Sequence, residues 1–337
     1  MNFTLSRPAD VAGAVRELAA PAAKVIAGGT NLVDLLKYEV ERPTRLVDVN
    51  HLPGLDRIEE TPDGGLRIGA LVSNTAVAYD ARVEAGWPLL STTILAGATP
   101  QLRNMATTGG NLLQRTRCYY FYDSGTPCNK RQPGSGCPAL TGVNRIHAIL
   151  GASGHCIATH PSDMCVALAA LEAVVHVTGP GGDRSIPMAE FHRLPGDRPD
   201  LDTTLGRDEV VTAISLLPMR SGPHHTYLKL RDRHSYAFAL VSVAAALEMD
   251  GGTVTKARVA LGGVAHKPWR VPEAEALLEG RPAGDEAFAA VAARLLEGAV
   301  GHEHNTFKIE LARRAIPRAL AQAAAGTPQS QIDKRIV

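Results

Sequence analysis

The sequence predicts an α+β fold in two parts, and three features of the chain support this prediction. The chain has 337 residues, which is the length of about two domains. Strand and helix patterns alternate in its first part, whereas strands precede a run of helices in its last third. Apolar residues make up 45% of the chain and charged residues 20%, which is typical of a folded globular protein and excludes a mainly disordered one.

The predicted first part covers residues 1–220 and opens with a small α/β unit over residues 1–55. Apolar residues recur at helical spacing after Asp10, and short apolar runs alternate with this pattern. The predicted elements of the unit are a helix from Asp10 to Ala19, a strand Lys24–Ile26, a helix from Leu32 and a strand Thr44–Val49.

The remainder of the first part, residues 56–220, carries further strand and helix patterns around a long loop. A turn at Gly179–Gly182 between two strand patterns predicts a hairpin. The predicted elements are a strand Gly65–Leu71, a helix from Asn74 (its cap) to Ala81, a helix Pro88–Ala96, a helix from Pro161 to Leu171 and the hairpin Val174–Ile186.

The predicted second part covers residues 221–326, after a boundary near Pro218–Pro223. Its hairpin signal is Asp250–Gly252, and we expect a flexible polar tail over residues 327–337. The predicted elements are strands Thr226–Leu230, Ala239–Met249 and Thr253–Leu261, then helices Pro272–Leu278, Asp285–Ala299 and Phe307–Ala324.

The charge balance and the apolar runs exclude several classes of partner. The chain carries 35 basic and 34 acidic residues, so we expect no nucleic-acid partner. It has no run of about 18 apolar residues, so we expect no membrane insertion. The first residues lack the basic stretch and apolar core of a secretory signal, so we expect no signal peptide in this chain.

Two segments share the pattern Gly-Gly-(Thr)-Asn-Leu. The first is Ala27–Leu32, between a predicted strand and a predicted helix, and the second is the predicted loop Thr108–Leu112. Neither has the G-x-G-x-x-G spacing of a Rossmann fold or the Gly-Lys-Ser/Thr of a Walker A motif. Either segment alone is most simply a structural turn. Because glycines let a ligand approach the backbone, the repeated pattern favours one phosphate-rich ligand held from two sides.

The five cysteines of the chain all fall in one stretch, which favours a metal site over a disulfide framework. Cys118, Cys128, Cys137 and Cys156 have the spacing C-x9-C-x8-C-x18-C in a loop that also carries arginines and lysines. From spacing and charge alone, a tetrahedral zinc ion and a [4Fe-4S] cluster both remain open, and free thiols are the alternative to a metal. Cys165 lies in an apolar helical run and is interpreted as a buried core residue.

Four motifs in order resemble a known family over almost the whole chain. They are AGGTNLVDLLK at residues 27–37, ATTGGNLLQ at 106–114, HPSDMCVAL at 160–168 and YLKLRDRHSYAFALVSVA at 227–244. This order resembles the FAD-binding medium subunits of the xanthine dehydrogenase family of molybdenum hydroxylases. The resemblance implies a two-part FAD-binding domain of the PCMH type, followed by a C-terminal domain of the CO dehydrogenase flavoprotein type.

The cysteine-rich segment narrows the resemblance to FAD subunits that carry an additional [4Fe-4S] cluster. RTRCYYFYDSGTPCNKRQPGSGC at residues 115–137, with the later Cys156, is most similar to the subunit of bacterial periplasmic aldehyde oxidoreductase. 4-Hydroxybenzoyl-CoA reductase is a more distant relative. The resemblance implies that the loop 115–157 binds a cluster through Cys118, Cys128, Cys137 and Cys156.

The resemblance also implies which residues bind FAD, and it implies no catalytic acid or base in this chain. Asp163 matches a residue on the adenosine side of FAD, Lys229 a lysine near the flavin, and Val211 an aliphatic residue in contact with the flavin. Without the resemblance, Asp163 is simply a carboxylate at a helix start and Lys229 a strand lysine pointing to water. The full implied set is Ile26, Ala27, Gly28, Gly29, Thr30, Asn31, Leu32, Thr108, Gly109, Gly110, Asn111, Asp163, Val211 and Lys229.

The implied function is electron transfer in a heterotrimeric aldehyde oxidoreductase. A large subunit with the molybdenum cofactor would oxidise the aldehyde, and a small subunit with [2Fe-2S] clusters would pass electrons to FAD here, which delivers them to an external acceptor. The alternatives are the FAD subunit of a xanthine dehydrogenase or a 4-hydroxybenzoyl-CoA reductase-like enzyme, a stand-alone flavoprotein oxidoreductase, and a non-enzymatic subunit with structural zinc. The implied location is the periplasm, by co-export with a signal-bearing partner, or the cytoplasm.

Overall fold

The computed structural model of the chain describes residues 2–331 and confirms the α+β class. The first unit is a parallel sheet with the strand order β1-β3-β2, flanked by two helices. Asp10 caps the first helix, whose buried face consists of Ala14, Val15 and Leu18. The elements are β1 Thr4–Ser6, α1 Val11–Leu18, β2 Ala23–Ile26, α2 Leu32–Lys37 and β3 Arg45–Asp48.

The second unit is an antiparallel sheet with the strand order β4-β5-β8-β6-β7, covered by helices. Its elements are β4 Ile58–Glu60, β5 Leu66–Gly69, α3 Asn74–Ala78, α4 Ala81–Gly86, α5 Pro88–Ala96, α6 Pro100–Met105, α7 Thr108–Leu112, α8 Tyr119–Tyr122, α9 Asp163–Ala170, β6 Val174–Gly179, β7 Gly182–Pro187, α10 Met188–Phe191 and β8 Val210–Leu216. Between α8 and α9 the chain is irregular, apart from one 3₁₀ turn at Pro138–Leu140.

Three local predictions in this unit are wrong. Ser73, and not Asn74, caps α3, because the Ser73 side chain accepts from the Ala76 backbone N–H, while Asn74 is buried inside the helix. The helix also ends at Ala78, and Asp80 caps a separate α4. The second glycine segment, predicted as a loop, is the short helix α7, which Thr107 caps through the Gly110 N–H.

The third unit is an antiparallel sheet with the strand order β12-β11-β10-β9, to which β13 adds by pairing with β11. Its elements are β9 His225–Leu230, β10 Val241–Asp250, β11 Thr253–Gly262, β12 Trp269–Arg270, α11 Pro272–Glu275, β13 Arg281–Pro282, α12 Asp285–Leu295 and α13 Phe307–Ala324. α11 and α12 end earlier than predicted.

Both faces of the third sheet are buried, which explains the continuous apolar run in β10. Because successive side chains of a strand point to opposite faces, Val243 and Ala245 alternate with Ala244 and Ala246. Val243 and Ala245 pack in the core under α12 and α13. Ala244 and Ala246 pack in the core that also contains α5 and α9. The small alanines therefore let the third sheet lie close against the helices of the second unit.

Of the predicted flexible tail 327–337, residues 332–337 lie outside the described residues, and Gln329 donates its backbone N–H to Thr226 Oγ1 at 2.9 Å. Among residues 2–331, no helix has the length and apolar character needed to cross a bilayer.

Candidate functional site

The two glycine segments line the same cleft. The cleft has a volume of about 390 Å³, which is within the range of small-molecule and cofactor sites. β8 and residues 200–207 form another wall. The predicted FAD residues that line the cleft are Ala27, Gly28, Gly29, Thr30, Asn31, Leu32, Gly109, Gly110 and Val211.

Glycine is required in the first segment for two separate reasons. A Cβ on Gly28 would lie 1.7 Å from Met105 O and 2.7 Å from Met105 C, so the segment meets the end of α6 backbone to backbone. Gly29 has φ +72°, in the left-handed region that favours glycine. The segment is thus a fixed wall of the cleft.

Asn31 leaves a hydrogen-bond donor unused at the cleft. Its Oδ1 accepts from the Arg115 backbone N–H at 2.8 Å, which fixes the side-chain amide. Its Nδ2 is buried and has no hydrogen-bond partner in the described part of the chain. Since buried donors are normally satisfied, this amide fits a bound acceptor such as a phosphate oxygen.

The remaining predicted FAD residues lie outside the lining of this cleft. Ile26 precedes the first segment in β2, and Thr108 donates its hydroxyl to Val72 O at 3.0 Å. Asn111 donates to Asn74 Oδ1 at 2.7 Å. The contacts of Thr108 and Asn111 hold the second glycine segment in place, and direct contact with FAD stays a prediction for all three residues.

Asp163 and Lys229 bind each other in a buried cluster. Lys229 Nζ lies 2.8 Å from Asp163 Oδ2, and Tyr227 OH donates to Asp163 Oδ1 at 2.5 Å. Lys229 also donates to Ala96 O at 3.2 Å, at the end of α5. Lys229 is therefore not a strand lysine pointing to water, and the predicted roles of the pair towards FAD are not tested by these contacts.

The four predicted metal ligands come together at one cavity. Cys118, Cys128, Cys137 and Cys156 all line it, although 37 residues of sequence lie between the first and the last. All four are free thiols, and Cys118 and Cys156 are buried. The hydrogen bond between the thiols of Cys137 and Cys156 lowers the pKa of Cys137 and raises that of Cys156, while burial raises the pKa of Cys118 to about 12. The donor set fits a thiolate-bound metal centre.

Asn129 explains how the loop brings the cysteines together. Its backbone N–H donates to Gly136 O at 2.8 Å, and its side-chain Oδ1 accepts from the Gly136 N–H at 2.8 Å. Its Nδ2 donates to His155 O at 2.9 Å. Because Asn129, Gly136 and His155 are sequence neighbours of Cys128, Cys137 and Cys156, one buried side chain sets the positions of three thiols.

A chain of buried charges links the cysteine cavity to the cleft. Lys130 lines the cavity and lies 2.5 Å from Asp202 Oδ1, while Arg115 Nε lies 2.7 Å from Asp202 Oδ2. Arg115 also binds Glu41 at 2.7 Å, and Arg115, Asp202 and Glu41 all line the cleft. Burial alone would raise the pKa of Asp202, but Lys130 and Arg115 outweigh it and hold this pKa well below its usual range.

Sequence reasoning missed His147, which contacts one of the cavity thiols. Its Nε2 lies 3.1 Å from Cys118 Sγ, and both side chains are buried. Burial, with a smaller contribution from the nearby Lys308 ammonium, lowers the pKa of His147 to about 4, so the ring is neutral at physiological pH. No spacing rule links residues 118 and 147, so nothing in the sequence pattern indicated this contact.

Another group of side chains in this region consists of His160, Cys165 and His192. One side-chain nitrogen or sulfur atom from each of them lies within 4.8 Å of the others. His192 Nε2 donates to Leu112 O at 2.8 Å, at the end of α7, and the Ser162 N–H donates to His160 Nδ1 at 3.4 Å. The set thus packs the second glycine segment against α9. Cys165 is fully buried in the hydrophobic core, as its apolar helical run predicted.

Comparison with protein families gives two matches that together span most of the chain. Residues 1–219 match the FAD binding domain in molybdopterin dehydrogenase. Residues 225–323 match the CO dehydrogenase flavoprotein C-terminal domain.

Individual relatives are similar over nearly the full length of both chains. The FAD-binding subunit PaoB of the Escherichia coli aldehyde oxidoreductase is 53% identical over 327 residues, covering 96% of this chain and 98% of the relative. The carbon monoxide dehydrogenase medium chain of Afipia carboxidovorans is 27% identical and covers 96% and 98%. Among solved structures, a chain of carbon monoxide dehydrogenase from Hydrogenophaga pseudoflava superposes with a TM-score of 0.76 at 26% identity, covering 97% and 98%.

Proposed function

The chain belongs to the molybdenum hydroxylase family as one of its FAD-binding subunits, and we propose that it transfers electrons through FAD in a heterotrimeric aldehyde oxidoreductase. One observation carries the proposal. The two glycine segments line one cleft, and a cavity with four cysteines is joined to that cleft through Lys130, Asp202 and Arg115. The aldehyde substrate class is taken from the relative that is 53% identical.

FAD fits the cleft through groups that this chain supplies. The first glycine segment offers a backbone surface without Cβ atoms at Gly28 and Gly29, and Asn31 offers a free amide donor. Arg115 holds that amide in place through its backbone N–H. When bound, the flavin supplies the redox chemistry, and the protein supplies binding, orientation and the electrostatic surroundings.

The cysteine cavity is proposed to hold a [4Fe-4S] cluster rather than zinc. Its four thiols, the backbone N–H of Ala158 at 3.4 Å from Cys156 Sγ, and the cation of Lys130 suit a negatively charged thiolate cluster. The cluster either extends the electron route or only braces its loop.

Replacing Cys128 with Ser tests the cluster and its role. The variant should lose iron, whereas Cys165→Ala, a matched change outside the cavity, should keep it. Full iron in Cys128→Ser would contradict the ligand set. Iron loss with unchanged electron transfer through the complex would leave only the bracing role.

The proposed partners are a large molybdenum-cofactor subunit and a small [2Fe-2S] subunit, with an external electron acceptor. We propose that this chain contributes no acid or base to aldehyde oxidation and that the substrate binds in a partner. Anaerobic aldehyde should bleach the flavin absorbance of the purified heterotrimer but not that of the isolated chain. Bleaching and turnover by the isolated chain would contradict the proposal and indicate a stand-alone flavoprotein oxidoreductase.

We also propose a periplasmic location, reached with a signal-bearing partner, and the cytoplasm is the alternative. Fractionation of cells that express the three subunits, with and without the signal of the partner, distinguishes the two. Recovery of this chain in the cytoplasm in both cases would contradict co-export.

A further inference from the structure

A histidine lies within hydrogen-bond distance of one thiol of the cysteine cavity. His147 Nε2 lies 3.1 Å from Cys118 Sγ, and the exposed fractions of the two residues are 1% and 7%. Water is therefore excluded from the contact, and the two side chains interact directly. A hydrogen bond in such a low-dielectric setting is stronger electrostatically than one in water.

The surroundings of the ring select one tautomer. His147 Nδ1 is buried and has no hydrogen-bond partner among the described residues. In the tautomer with the proton on Nδ1, this N–H group would be a buried donor without an acceptor. Nε2 would then be unprotonated, and its lone pair would face the sulfur. A proton on Nε2 donates to Cys118 Sγ instead and leaves only an acceptor unsatisfied, which is the less costly arrangement. The contact is therefore an N–H···S hydrogen bond.

The backbone of His147 is held by a helix of the third unit. Its carbonyl accepts from Lys308 Nζ at 2.7 Å and from Asn305 Nδ2 at 3.3 Å, and its own N–H donates to Asn144 O at 2.9 Å. Lys308, Asn305 and Asn144 are fully buried. Lys308 lies in α13 and also donates to Gly263 O at 2.6 Å. The backbone of His147 is thus fixed by contacts that do not depend on the cysteines.

We propose that His147 raises the reduction potential of the metal centre held by the four cysteines, through its hydrogen bond to Cys118. The inference rests on the proposed [4Fe-4S] cluster. Reduction adds one electron, supplied by a [2Fe-2S] partner or by a chemical reductant, and increases the negative charge on the thiolate sulfurs. A fixed N–H donor stabilises the more negative, reduced form more than the oxidised form, and no proton is transferred.

The role of α13 follows from the same contacts. Because Lys308 and Asn305 hold the His147 peptide, the third unit sets the position of a donor that acts on a centre in the cysteine loop. The hydrogen bond from Lys308 to the carbonyl of His147 therefore connects the third unit with the cysteine loop.

A redox titration of the cluster, followed by electron paramagnetic resonance in the purified complex, tests the proposal. His147→Phe keeps a ring of similar size but removes the donor, and His155→Phe is the matched control, because His155 also lines the cavity but is exposed. At the midpoint potential of the wild type, the ratio of reduced to oxidised cluster should fall about tenfold in His147→Phe, which is a shift of about 59 mV for one electron. His155→Phe should leave the ratio unchanged.

Iron and sulfide counts separate the possible failures. Full iron with an unchanged midpoint in His147→Phe would overturn the inference. A wild type without iron would overturn the proposed cluster instead.

If His147→Phe does not assemble the cluster, the wild type still provides a test. In protein labelled with ¹⁵N-histidine, the reduced cluster should show magnetic coupling to a histidine nitrogen. Absence of that coupling would overturn the inference without any substitution.

Discussion

Gly28 illustrates how a single residue sets the wall of the cleft. The space where its Cβ would lie is occupied by the backbone of Met105, which cannot move aside as a flexible side chain can. The first glycine segment therefore contacts the end of α6 directly. Any side chain at Gly28 must push these two backbones apart, and the cleft between the glycine segments must change shape.

We predict that Gly28→Ala lowers both FAD content and stability. The free energy of unfolding should fall by about 1–3 kcal/mol or more, since the clash involves backbone atoms. Gly86→Ala is the control, because a Cβ at that position has no neighbour within 4 Å. Flavin absorbance and urea unfolding measure the two effects. Normal flavin content and stability in Gly28→Ala would show that this contact does not shape the cleft.

At the scale of single residues, the sequence predicted which types of residue form the candidate sites, but it did not predict which residues contact each other. The repeated Gly-Gly pattern indicated a two-sided ligand site, and both segments do line one cleft. The approach of Gly28 to Met105 and of His147 to Cys118 arises from packing of residues far apart in sequence. No local pattern encodes such pairs.

The cysteine loop is the element that joins the two candidate sites. Asn129 sets its internal geometry, and Lys130 extends from it to Asp202 at the edge of the cleft. Asp202 is the only carboxylate within 4 Å of Lys130 Nζ among the described residues, and it also pairs with Arg115. Loss of this carboxylate would leave two largely buried cations without their shared partner, which is costly.

We therefore predict that Asp202→Asn lowers the free energy of unfolding by about 3 kcal/mol at pH 7. The pKa of Asp202 is depressed in the folded protein, so its stabilisation is present above its ordinary value of 3.8 and is lost as the pH falls towards the lower folded value. The difference between wild type and variant should stay constant from about pH 8 to 5 and narrow below about pH 4.

Urea unfolding at several pH values measures this difference. Asp200→Asn, which removes a pair with the exposed Arg198, should have little effect. Equal losses in the two variants would contradict the account of the network.

The sequence predicted only about half of the elements of the second unit, and it did not predict their arrangement. Strand β8 at the centre of the second sheet was not predicted, although its neighbours β5 and β6 were. Its position between them depends on pairings across long stretches of sequence, such as Ile68 with Ile214. The helical form of α7 also escaped prediction, because two adjacent glycines disfavour a helix that the Thr107 cap stabilises here.

At the scale of the whole molecule, the second and third units share a core and a buried ion pair. Asp163 begins α9 of the second unit, and Lys229 and Tyr227 lie in β9 of the third. The alanines of β10 pack against the same helices. The relative position of the two units should therefore depend on this polar cluster as well as on apolar contacts.

We predict that Asp163 and Lys229 are energetically coupled. Lys229→Met should lower the free energy of unfolding by about 3 kcal/mol, because it leaves the Asp163 carboxylate buried without its cation. In the double variant with Lys229→Met and Asp163→Asn, the loss in free energy of unfolding should be smaller than the sum of the losses in the two single variants. The difference should be about 0.5–3 kcal/mol. Unfolding of the flavin-free single and double variants measures this coupling, and strictly additive losses would rule out the ion pair as a link between units.

We propose that this one chain holds a dinucleotide between its glycine segments and a thiolate cluster in its cysteine loop. An anaerobic absorption spectrum of the purified protein, with iron, sulfide and flavin counts, tests this most directly. We predict about four irons and about one FAD per chain. A colourless protein with a single zinc ion and no flavin would contradict it.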